Sequence, residues 1–121
     1  ALFEMGALRG GAHVRGATLA ELGGGNRPSD MVTIEQDGAR HVIVANSNRT
    51  LMRIAAADIE RATPLTRRST MIYESFGMPY VSIAQVGVLQ LDTLGPEFLL
   101  LLQRDIEKGS LDLRTHPTKY L

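Results

Sequence analysis

The feature that most constrains this chain is a rhythm of short apolar runs cut by tight polar turns. Met31, Val32, Thr33, Ile34 and Glu35 are β-branched and partly alternating, the pattern of a strand with one buried face. Asp37-Gly38 follows, a dipeptide that favours a two-residue hairpin because both positions tolerate positive φ. His41, Val42, Ile43, Val44 and Ala45 form a second run, apolar enough after His41 to predict cover on both faces. Asn46, Ser47, Asn48 and Arg49 make a polar turn, and Thr50, Leu51, Met52, Arg53 and Ile54 a third run. Three short strands joined by tight turns form an antiparallel meander.

The last third of the chain repeats the idea. Residues 86–92 read as a strand with Leu89 and Leu91 on one face, and residues 93–97 as a turn containing Gly95 and Pro96. Residues 98–103 are very apolar, residues 105–109 a turn, and residues 110–114 a strand with Leu111 and Leu113 sharing a face; residues 116–121 are a tail. Residues 96–108 also admit a helix, with Pro96 at its first position, Glu97 at its positive end and Gly109 as its C-terminal cap. Four consecutive leucines do not mark one helical face, however, and the flanking strands favour a second meander. The expected fold is therefore mainly β, built of two antiparallel meanders. The alternative is a small α+β domain with a helix at 96–108.

Four segments follow. Residues 1–25 hold seven of the 12 glycines yet also Leu2, Phe3, Met5 and Leu8, which suits an irregular apolar arm lying on something else. Residues 17–22 of that arm can make a short helical turn stopped by Gly23. Residues 26–62 are the first meander and end in one helical turn before Pro64. Residues 63–85 connect, with a basic loop at Arg67-Arg68 and strand candidates at 69–73 and 80–84. Residues 86–121 are the second meander and tail.

Pro28-Ser29-Asp30 entering a strand, the Asp37-Gly38 hairpin, and Ala45-Asn46-Ser47 closing the second strand together resemble the blade opening of calcium-dependent lactonase-type and NHL-type β-propellers. The resemblance covers residues 26–54 well and residues 86–114 in outline. It implies that the meanders are blades of an incomplete propeller. A four-stranded blade takes roughly 40–50 residues and closure takes about four blades, so 121 residues hold two to three. It also implies a calcium site near an axial pocket, with Asp30, Asn46, Asn26 and Asn48 as the oxygen-rich set. This chain departs from the family in placing Ser29 where a ligating Asn stands and Asn46 where Asp is common, which leaves the set poor in charge for an ion that takes about six to eight oxygens. Without a metal, Asn46 and Asn48 make an Asx-type turn and Asp30 ends a loop.

Other chemistry finds little purchase. Equal numbers of basic and acidic residues, 13 of each, remove the electrostatic case for nucleic acid or an anionic membrane. Cysteine is absent, so there is no thiolate metal site and no Cys nucleophile, and the compartment stays open, with a soluble periplasmic or secreted location among the choices. No apolar run approaches the roughly 20 residues of a membrane-spanning helix. His13, His41 and His116 have no metal-ligand spacing, and no Gly-x-Ser-x-Gly elbow is present. Gly23-Gly24-Gly25-Asn26 lacks the Lys-Ser/Thr of a phosphate loop and reads as a connector. The five methionines read as packing residues.

Two functions fit. One is a propeller segment of a larger enzyme or subunit complex, contributing to an axial pocket for a metal or small substrate. The other is a non-catalytic propeller scaffold that mediates protein–protein interaction. Both expect the chain, which opens on Ala1, to be a subunit or processed fragment. Its apolar strands and arm are then covered by another polypeptide or by the remainder of a precursor.

Overall fold

The computed structural model describes residues 1–70 and 73–121, and strand accounts for 44% of the chain against 10% for helix, which decides for the mainly β class. The strands run in chain order as β1 (Glu21–Leu22), β2 (Pro28–Gln36), β3 (Ala39–Asn46), β4 (Leu51–Ala55), β5 (Ser75–Phe76), β6 (Val81–Ile83), β7 (Val88–Leu94), β8 (Phe98–Arg104) and β9 (Leu111–Pro117). A short α-helix, α1 (Ala56–Arg61), follows β4, and single 3-10 turns lie at Met5–Ala7 and Thr118–Tyr120. The alternative helix over 96–108 is not formed: its leucines lie in β8, which pairs antiparallel with β7 on one side and β9 on the other. Pairing on both edges satisfies the β8 backbone and outweighs the helical end signals.

Two antiparallel sheets make up the body. The first has the order β2-β3-β4-β6 and the second β7-β8-β9, so each is a meander in chain order. The fourth strand of the first sheet comes from the connecting segment. The β2–β3 hairpin closes on Asp37 (φ 52) and Gly38 (φ 73), both left-handed as a two-residue turn of this type requires. The candidate strand at 69–73 is not seen in Ser69, Thr70 or Tyr73, and Met71 and Ile72 lie outside the described residues.

The two sheets bury one shared core. Ile34, Ile43 and Leu51 of the first sheet pack with Leu91, Leu99 and Leu101 of the second, and Leu121 at the chain's end tucks in beside them. The opposite face of the first sheet, Val44, Met52 and Ile54, is covered by Ile59 of α1, by Leu22 and by Met78. Strand β3 is thus covered on both faces, as its unbroken apolar run requires. The second sheet is covered on one face only. Its outer face carries Leu100 and Leu102 with Phe98 (37% exposed), Leu111 (52%) and Leu113 (68%).

Two local expectations are corrected. Residues 17–22 do not coil: Ala17 bridges to Leu2, and Glu21–Leu22 pairs with Ser75–Phe76. Leu89 and Leu91 do not share a face, because the register shifts between Val88 and Gln90. The bulge turns Val88 and Leu91 to the core and leaves Leu89 half-buried.

Gly87 stands just before that bulge with φ +71, and a Cβ there would lie 2.6 Å from the Arg104 carbonyl oxygen. Its own carbonyl accepts the Arg104 N–H at 2.8 Å, so the two strands cannot separate freely. Gly38 has nearly the same φ but open space around it. Gly87→Ala is therefore expected to cost more than Gly38→Ala, with the backbone term common to both worth about 1–2 kcal/mol. Urea unfolding of the two variants checks this. Equal losses would show that the approach to Arg104 carries no cost.

Candidate functional site

The oxygen-rich set gathers at the end of the first sheet where β3 turns into β4. Asn26 sits on the loop before β2 and donates from Nδ2 to Asn46 Oδ1 at 2.8 Å and to the Leu22 carbonyl at 3.0 Å. Asn46, 1% exposed, donates from Nδ2 to the Thr50 carbonyl at 2.9 Å and the Val44 carbonyl at 3.2 Å. Asn48 donates to the Gly25 carbonyl at 3.1 Å. The Arg27 N–H donates to Ser47 Oγ, and the Ser47 N–H to the Arg27 carbonyl. Three amides thus staple the β3–β4 turn to the loop that feeds β2, which is the Asx-turn role extended across strands.

Asp30 does something else. Strand alternation turns it towards the second sheet, where Oδ2 accepts the Leu91 N–H at 2.8 Å and Oδ1 accepts the Met31 N–H at 2.9 Å. Both oxygens of the set's one carboxylate thus receive backbone donors, and Asp30 pins β2 to β7. Asn26 Oδ1 is buried without a partner among the described residues. Among the described residues no group of three or more His, Cys, Asp or Glu side chains is placed to hold a metal ion.

Asn46→Ala is expected to cost about 1–3 kcal/mol, since it strands the Thr50 and Val44 carbonyls and removes the acceptor of Asn26. Chemical denaturation measures the loss. Asn46→Asp should not rescue it, because a carboxylate cannot donate to either carbonyl.

The remaining sequence candidates scatter. His13 is exposed, and Arg67 and Arg68 are exposed on the loop after α1. Arg67 borders an open cavity of about 550 Å³ with Asp58, Arg61, Phe76 and Met78, where Asp58 and Arg61 are already paired at 2.8 Å. His41 Nδ1 and His116 Nε2 are buried without partners among the described residues. One group escaped sequence reasoning altogether. Arg53, half-buried in β4, donates to Gln36 Oε1 at 2.8 Å, and Gln36 Nε2 donates to the Thr118 carbonyl at 3.2 Å, linking the first sheet to the segment after β9. The available signal was a lone charge inside the apolar run Leu51-Met52-Arg53-Ile54. Among the described residues no helix is long and apolar enough to cross a membrane. Compared with known families, curated proteins and solved structures, the chain matches no family model, no curated protein and no solved structure.

Proposed function

We propose that this chain is a segment of a β-propeller that serves as an interaction scaffold, completed by further polypeptide packed against its second sheet. The observation that carries the reading is the bare outer face of β7-β8-β9, where Leu100 and Leu102 lie in one layer with exposed Phe98, Leu111 and Leu113. Large contiguous apolar patches on a surface mark interaction sites. The order of the strands supports the propeller part. Each sheet is a meander, the first strands β2 and β7 lie side by side through Asp30, and the second sheet is one strand shorter than the first. The scaffold reading is favoured over a catalytic one because the polar residues of the candidate site spend their hydrogen bonds on the backbone. The mass of the native assembly from its source, measured without denaturation, tests the proposal. It is expected to exceed the 13.2 kDa of this chain, and a native mass of 13.2 kDa would contradict it.

A second reading, an axial calcium site, is favoured by the unpartnered Asn26 Oδ1 alone. It expects millimolar calcium to raise the melting temperature, because a ligand stabilises the state that binds it. Asn26→Ala should abolish that rise. No rise in the unaltered chain retires the calcium reading and leaves the scaffold standing.

A further inference from the structure

We propose that the small cavity between β3, β4, β6 and α1 binds a short-chain monocarboxylic acid. The cavity holds about 190 Å³ and is lined by His41, Arg53, Ala55, Asp58, Tyr80 and Val81, with Pro79 at its rim. Register places Arg53 and His41 on one face: His41 lies opposite Ala55, Ile43 opposite Arg53, and Arg53 opposite Val81. Arg53 and His41 are therefore diagonal neighbours across two paired strands.

The chemistry of the wall selects an anion. Arg53 is half-buried and makes no ion pair among the described residues. Among the described residues its side chain bonds only Gln36 Oε1, which fixes the guanidinium from one side. Gln36 is itself held by the Thr118 carbonyl, so the cation is positioned by the segment that follows β9. Its planar guanidinium fork matches a carboxylate. His41 also lines the cavity, with its Nδ1 buried and without a partner among the described residues.

Size and charge narrow the class. Pockets for drug-sized ligands run to about 300–1,000 Å³, so this cavity takes a much smaller molecule. Ala55, Val81, Pro79 and the Tyr80 ring supply an apolar wall for an aliphatic body. Asp58 also faces the cavity and is neutralised only by Arg61, at 2.8 Å. A second negative charge on the ligand would meet that carboxylate, which disfavours phosphate and dicarboxylates.

Equilibrium dialysis of the full chain against radiolabelled butyrate tests the site and counts ligands per chain in any state of assembly. The expected result is saturable binding of one butyrate per chain, weakened at least tenfold in Arg53→Gln. Val81 is 48% exposed on the short strand β6, so Val81→Trp can fill the cavity without disturbing the core, and it should abolish binding. Butyramide, which lacks the charge, should not compete. Circular dichroism checks the fold of both variants, and if Arg53→Gln fails to fold, Val81→Trp decides. Absence of saturable binding, undiminished binding in a folded Arg53→Gln or Val81→Trp, or displacement of butyrate by an equal concentration of inorganic phosphate would each overturn the proposal.

Discussion

Leu99→Ala is expected to destabilise the fold by about 2–5 kcal/mol, a large share of the roughly 5–15 kcal/mol that holds a small domain together. Leu99 is fully buried at the middle of the shared core, beside Leu101 and facing the first sheet. Its truncation removes apolar contacts and leaves a cavity that two hydrogen-bonded sheets cannot collapse into. Leu100 is its neighbour in sequence but points to the outer face of the same strand. Leu100→Ala should therefore cost much less in the isolated chain, with urea unfolding giving both values. Equal losses for the two would mean that the outer face is already covered.

Replacing Leu102 and Leu113 together by lysine should change association far more than stability. Leu102 and Leu113 are directly opposed across β8 and β9, at the centre of the bare face. Burying a leucine on association contributes about 1.5–3 kcal/mol, so two charged replacements should weaken self-association by a hundredfold or more. The fold itself should lose little, because Leu113 is exposed and Leu102 only half-buried in the chain alone. Light scattering against concentration checks the first effect and thermal melting the second. Unchanged association would remove this face from the account.

The parts of the fold legible in the sequence were those fixed by local chemistry. Asp37-Gly38 set the β2–β3 hairpin, and the alternation around it set the register that buries Ile34 and Ile43. The unbroken run in β3 marked a strand with two covered faces. Long-range pairing was not legible. Glu21–Leu22 becomes a strand only because Ser75–Phe76 arrives beside it, and nothing local to residues 17–22 announces that partner. The bulge at Val88 was hidden for a similar reason, since it depends on how β7 meets Gln103 and Leu102. Residues 98–104 carried end signals for a helix and a body suited to a strand, and pairing with both neighbours decided between them.

The candidate site was legible as a group of residues but not as an arrangement. Asn26, Asn46 and Asn48 do meet, yet as amide donors to carbonyls rather than as oxygens turned to a common point. Composition reports that oxygens are present and not which atoms face inward. Asp30 was placed correctly at the entry to β2, while its bond to Leu91 depends on the second sheet lying against the first. Arg53 went unnoticed because one charge in an apolar strand gains meaning only when Gln36 and His41 are seen beside it.

On the scaffold proposal, further polypeptide covers the outer face of the second sheet. Sedimentation velocity of the purified chain alone, at micromolar concentration, tests it most directly. Species heavier than 13.2 kDa or loss of material to aggregates are expected, as the exposed outer leucines find one another. A single 13.2 kDa monomer that also melts sharply would contradict it, and would mean that two sheets with one bare face are sufficient by themselves.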